Sequence, residues 1–251
     1  MEHMESQLET QPLGLSRALF QWLRDSLQNR GLWGTTRNLA EQLGLFIRDS
    51  FPDRRRSRFG DIDYDFDYGV DTTWARLPLG VRIRELFSER LYQPTDPAEF
   101  HNVISHVPAD FRNLAFIDLG SGKGRALLLA SEYPFREIVG VEVQPELHRI
   151  AQENIDRFSS DKRKCHRITA YCMDARDFTF PDEPMLIYLF NPFPDYVMES
   201  VLKNLREALQ KSPRETFVLY NTPWDERVFA RDEFLEKVYE QHNFQVYKSR
   251  L

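Results

Sequence analysis

Cysteine is scarce in this chain. The 251 residues hold two, Cys165 and Cys172, with no Cys-x-x-Cys pair and no histidine at zinc-ligand spacing. A disulfide framework and a zinc site are therefore not expected, and no metal is assigned. Long apolar runs are missing too. No stretch approaches 18 apolar residues, so no membrane span is expected. The opening residues, Met1–Gln11, are acidic and polar, unlike a secretory signal. A cytoplasmic setting is the expectation. Positive charge is not in excess either: 33 Lys and Arg face 39 Asp and Glu, a net −6. That balance disfavours a protein whose main work is gripping a nucleic-acid backbone. With 11 Gly and 14 Pro, the chain is neither fibrous nor of low complexity. Aromatic residues, by contrast, are plentiful at 19 Phe, 10 Tyr and 4 Trp, enough to fill a core.

The chain divides into an N-terminal helical extension over 1–90 and an alternating strand–helix region over 91–251. In the first, Leu15, Ala18, Leu19, Trp22, Leu23 and Leu27 recur at helical spacing behind Ser16. A second helix is expected over Thr36–Ser50, with Leu39, Leu43, Phe46 and Ile47 inward. A basic cluster, Arg54, Arg55, Arg56 and Arg58, precedes Asp61, Asp63, Asp65 and Asp67, which alternate with Ile62, Tyr64, Phe66 and Tyr68. Strict alternation predicts an extended segment with carboxylates on one side and aromatics on the other. Its apolar side suggests a lid over 62–74, with Tyr64, Phe66 or Tyr68 facing an acceptor channel and Gly69 as hinge or tight turn.

Beyond residue 91, strands are expected at Leu114–Leu119, Glu137–Val141, Arg167–Met173, Met185–Phe190 and Thr216–Tyr220. Helices are expected at Lys123–Glu132, Pro145–Phe158 and Tyr196–Gln210. Two alternating runs, Glu236–Gln241 and Phe244–Ser249, flank His242-Asn243 as a closing hairpin. The pattern predicts an α/β fold: a doubly wound, mainly parallel sheet ending in an antiparallel hairpin.

The first strand runs into Asp118-Leu119-Gly120-Ser121-Gly122-Lys123-Gly124-Arg125. Alternate glycines let a backbone turn sharply and approach a ligand closely. Arg125 stands where a dinucleotide fingerprint needs its third glycine. Ile117 and Gly124 stand where a P-loop needs glycine and a hydroxyl. Asp118 would repel a pyrophosphate but suits an ammonium group. Glu142, ending the next strand, can accept from both ribose hydroxyls. Asp174, at the end of the third strand, can accept from an adenine amino group. An ammonium, a ribose and an adenine without phosphate describe S-adenosylmethionine.

With these motifs in order, residues 92–251 resemble the class I, seven-stranded, S-adenosylmethionine-dependent methyltransferases. A poorly characterised bacterial group within them shares Tyr68–Thr72, Tyr92–Thr95 and the Leu-Phe-Asn-Pro-Phe strand end. The resemblance implies that Asp118, Gly120, Ser121, Gly122 and Gly124 surround the methionine part. It implies Glu142 for the ribose, Asp174 and the Ala175 amide for adenine, and Tyr92 and Thr95 near the methionine carboxylate. Asn191, Pro192 and Phe193 would then receive the acceptor, as the Asn/Asp-Pro-Pro-Tyr/Phe segment does in family members that methylate nitrogen. Here Phe193 replaces the usual proline. The implied function is methyl transfer to nitrogen of a protein side chain or small molecule. A silent cofactor-binding regulatory or interaction protein is the alternative. A nicotinamide oxidoreductase is disfavoured by Asp118.

Overall fold

A computed structural model describes residues 15–49, 62–73, 93–190, 192–222, 229, 233–241 and 243–250. Strands are set where apolar residues run without polar interruption. β1 (Ala115–Leu119) is buried throughout, as is β4 (Met185–Phe190) up to its last residue. A strand buried on both faces belongs mid-sheet. With β2 (Glu137–Glu142), β3 (Ile168–Cys172), β5 (Thr216–Asn221), β6 (Leu235–Gln241) and β7 (Phe244–Ser249), they form one seven-stranded sheet of order β3-β2-β1-β4-β5-β7-β6. The first five strands run parallel, and β7 is antiparallel to both β5 and β6. The expected doubly wound sheet with a closing hairpin is thus present. The chain leaves β1 for β2 on one side, then returns to place β4 on the other. Ligands bind at such a switch point, outside the carboxyl ends of the strands.

Alternate side chains of the strands feed two cores. Phe116, Tyr188 and Leu219 face α3 (Pro97–Ile104) and α4 (Arg125–Ala130). Ile117, Ile187, Leu189 and Val218 face α6 (Asp195–Lys211), which presents Met198, Val201, Leu202, Leu205 and Leu209. Asp96 starts α3 by accepting from Glu99 N–H, with Pro97 behind it. Helix α4 is shorter than the Lys123–Glu132 expected. Gly124 still has a left-handed φ of 85°, so the helix cannot begin before Arg125. Helix α5 (Pro145–Arg157) buries Leu147, Ile150 and Ala151, together with the polar Asn154.

The N-terminal region departs further from expectation. Residues 15–49 form one helical run, α1, broken at Gly31 (φ 67°, ψ 179°). Leu43 is exposed, as are Leu23 and Leu27. Helical periodicity identifies an apolar face but not what covers it. The side chains of Leu15, Ala18, Leu19, Trp22, Phe46 and Ile47 lie outside the described residues, as does the Arg54–Arg58 cluster. The aspartate–aromatic segment is helical, not extended: α2 spans Ile62–Tyr68. Tyr64 and Tyr68, four apart, pack with tilted rings at 4.7 Å, and Tyr68 continues onto Phe158 at 5.2 Å. Phe66, between them, is exposed. Period 2 and period 3.6 both pair residues 64 and 68; they disagree about 66. Gly69, at φ 65°, closes α2 as Val70 N–H donates to Asp65 O at 3.0 Å, a Schellman end. Tyr64 and Val70 join the core of the α/β unit, with Tyr68 half-buried against it, so Tyr64 does not face a channel.

Candidate active site

At the switch point, Gly120, Gly122 and Gly124 adopt φ of 89°, 55° and 85°, a region that side chains disfavour. Gly120 N–H and Ser121 N–H both donate to Val141 O, at 2.8 and 3.0 Å, drawing the loop over the end of β2. Gly122 N–H donates to Glu142 Oε2 at 2.9 Å, and Gln144 N–H to Oε1 at 2.8 Å. Glu142 thereby ties the loop to the start of α5 through a charged acceptor. A Cβ on Gly120 would lie 2.5 Å from Pro192 Cβ and 3.6 Å from the Phe193 ring. The segment leaving β4 therefore rests directly on the loop leaving β1. Gly140 serves the same closeness from below: a Cβ there would meet Leu127 Cδ1 at 2.6 Å and Ser121 Oγ at 2.9 Å.

Asp118 pairs in register with Gly140 on one side and Tyr188 on the other. It is 3% exposed. Burial first, then the nearby Glu142 charge, holds its carboxyl well above the usual range. A carboxyl in that state favours a cation beside it. Tyr188 Oη accepts from Asn221 Nδ2 at 3.2 Å and lies 3.5 Å from Thr95 Oγ1. All three residues are buried, and burial raises the Tyr188 phenol. Asp174 caps the turn at Ala175–Asp177, and Arg176 engages both of its carboxylate oxygens, at 3.0 and 2.7 Å. The hydrogen bond from Arg176 holds Asp174 below the usual carboxylate range.

A second layer of polar groups backs the glycine loop. Lys123, fully buried, donates to Asp71 Oδ1 at 2.8 Å and to Thr73 O at 2.7 Å. Asn154 donates to Lys123 O at 2.9 Å and Asp71 O at 2.8 Å, and accepts from Asp71 N–H at 2.7 Å. Arg125 donates to Thr72 Oγ1 and, at 3.2 Å, to Asp65 Oδ1. Asp65 also accepts from Thr72 N–H and Thr73 N–H. The Arg125 guanidinium lies 4.8 Å over the Tyr64 ring, and burial lowers it to about 9. Asp65 is thus a buried ion-pair partner rather than part of a solvated face.

Residues 116–212 match the family model described as a methyltransferase domain. No curated protein matches the chain. Among solved structures, it is similar to an RNA methyltransferase from Salinibacter ruber in complex with S-adenosyl-L-homocysteine. That likeness has 18% identity and a TM-score of 0.41, over 62% of this chain and 92% of the other. It is also similar to magnesium protoporphyrin IX methyltransferase from Synechocystis PCC 6803 with bound SAH. Here identity is 10% and the TM-score 0.45, over 61% of this chain and 81% of the other.

The fold brings Asp118, Gly120, Ser121, Gly122, Gly124, Glu142, Pro192 and Phe193 to the carboxyl ends of the parallel strands. Thr95 lies behind them, against Tyr188. Tyr92 and Asn191 lie outside the described residues. Tyr188 lies in the core, and its hydrogen bond from Asn221 is not legible in the sequence. Sequence reasoning also misses Lys123, Arg125, Asn154, Asp65 and Asp71 as one network. Two basic residues inside a glycine loop, and acidic residues among aromatics upstream, are the signal that could have found them. Among the described residues, no group of three His, Cys, Asp or Glu is placed to hold a metal ion. No described helix is long and apolar enough to cross a membrane.

Proposed function

We propose that the protein is an S-adenosylmethionine-dependent methyltransferase acting on nitrogen of a protein side chain or small molecule, with residues 91–251 as the cofactor-binding domain. The supporting observation is the contact of Pro192 and Phe193 with Gly120, beside buried Asp118 and next to Glu142. It joins the expected acceptor segment to the expected donor loop. S-adenosylmethionine supplies an electrophilic methyl on a sulfonium sulfur. The chain's own groups fit it. Asp118 offers a buried carboxyl to the ammonium, and Gly120, without a Cβ, lets Pro192 close against the loop. Glu142 offers a charged acceptor to the ribose hydroxyls, while Asp174 and the Ala175 amide meet adenine. Tyr92 and Thr95 serve the methionine carboxylate.

Asn191 accepts from the target N–H and aims the nitrogen lone pair; Pro192 and Phe193 cover the acceptor and exclude water. Alignment of this kind contributes about 7–11 kcal/mol in well-oriented reactions. The test has two stages. Calorimetric titration with S-adenosylhomocysteine is expected to show one site per chain. Labelled methyl from S-adenosylmethionine, offered to separated protein, nucleic-acid and small-molecule pools, is then expected in protein or small molecules. No binding overturns the cofactor assignment. Binding without transfer to any pool favours a silent cofactor-binding protein, and transfer to nucleic acid overturns the acceptor class.

A further inference from the structure

Residues 64–73 carry four side-chain or backbone groups that end on the glycine loop or on the first residue of α4, some fifty residues later in the chain. Resting on the reading of this loop as the S-adenosylmethionine site, we infer that Asp71 and Asn154 are positioning residues for the cofactor loop, acting through Lys123. Lys123 sits between Gly122 and Gly124, both at positive φ. Its side chain is held by Asp71 Oδ1 and Thr73 O. Its carbonyl is held by Asn154 Nδ2. The same Asn154 amide fixes Asp71 by both backbone groups. One asparagine therefore sets the distance between residue 71 and residue 123 from both ends.

The geometry gives this arrangement more than a fastening role. Three glycines make the loop permissive, and a permissive loop loses conformational entropy when a ligand orders it. A fully buried lysine inside that loop, and an asparagine of α5 bonded to it, order the loop beforehand. Asp71 and Asn154 touch neither donor nor acceptor in this scheme. They fix the orientation of Gly122 N–H and the turn from Ser121 to Gly124, which closes through Gly124 N–H to Ser121 O at 2.8 Å. Loss of the pair should weaken cofactor binding even where the fold survives.

The experiment separates positioning from stability in the full-length protein. Asp71→Asn leaves the fully buried Lys123 charge without its partner, and Lys123→Met leaves the half-buried Asp71 without its own; the double variant removes both charges together and restores neutrality. Melting temperature is expected to fall in each single variant and to recover toward wild type in the double variant. Affinity for S-adenosylhomocysteine is expected to stay at least tenfold below wild type in the double variant. Affinity that recovers along with the melting temperature would reduce the pair to a structural ion pair and overturn the inference. A second measurement needs no variant. Saturating wild type with S-adenosylhomocysteine should slow amide hydrogen exchange at residues 71–73 as well as at 120–124. Protection confined to 120–124 also overturns it. Wild type that fails to bind S-adenosylhomocysteine is a different failure: it removes the cofactor reading itself, and the inference with it.

Discussion

Asp118 is the residue whose charge should respond most to a bound cation. Its carboxyl is raised by burial and by Glu142. A group raised in the folded state contributes stability that is present below its unfolded pKa and is lost as pH rises through the folded one. Asp118→Asn should therefore melt higher than wild type at pH 8, with the difference closing near pH 4. The same variant should bind S-adenosylhomocysteine more weakly, because the ligand ammonium loses its countercharge. In wild type, the ammonium lowers the Asp118 pKa, so binding should release protons and tighten as pH rises. Calorimetry in two buffers of different ionisation enthalpy reads that release; a buffer-independent heat would remove Asp118 from the ammonium. For Glu142, replacement by Gln should weaken binding by about 1.5–3 kcal/mol, the usual loss for a hydrogen bond to a charged group. Unchanged affinity in the folded variant would leave Glu142 with only its role in tying Gly122 to Gln144.

The β1–α4 loop allows backbone strain to be separated from contact. Gly69 and Gly120 both have positive φ, 65° and 89°. A Cβ at Gly69 would meet nothing within 4 Å, whereas at Gly120 it would lie 2.5 Å from Pro192 Cβ. Gly69→Ala should cost only the backbone term, about 1 kcal/mol, and leave cofactor affinity as it was. Gly120→Ala should cost roughly 1–3 kcal/mol through strain, with a further loss as Pro192 is pushed away. Its affinity for S-adenosylhomocysteine should fall as well. Paired melts and titrations decide this: equal effects at the two glycines would mean that the β4 exit does not bear on the loop. Strand positions and the hairpin were legible in the sequence because a strand's period and a turn's chemistry are local. The start of α4 was not, because Gly124 takes a left-handed φ that its residue type permits but does not demand.

At the scale of the molecule, the N-terminal region is not one thing. Phe20, Leu32 and Trp33 of α1 are exposed, while Tyr64, Asp65 and Val70 are buried with the α/β core. A truncated chain lacking 1–61 keeps Asp65 and Asp71 and should melt close to the full chain. One lacking 1–75 leaves Lys123 and Arg125 buried without their carboxylates. Removing one partner of a buried pair costs about 3–5 kcal/mol, or about 6–20 °C in a protein of this size. Differential scanning calorimetry of the two truncations checks this. If the shorter one melts like the full chain and still binds S-adenosylhomocysteine, residues 62–73 are a detachable lid.

The sequence alone determined the alternation of strands and helices, the glycine spacing and the placing of Asp118 and Glu142 at successive strand ends. These follow from periodicity and from backbone demands that a few neighbouring residues express. It could not decide the fate of Asp65, Asp71 and Asn154. An aspartate is solvated or buried according to whether a cation waits for it, and here the cations, Arg125 and Lys123, stand sixty and fifty-two positions further along. Only the packing of α2 against α4 and α5 brings them together. Burial of three charges and one amide, with Asp71 half-buried beside them, was therefore settled by tertiary structure, because the free energy of burying a charge belongs to the pair and not to the residue.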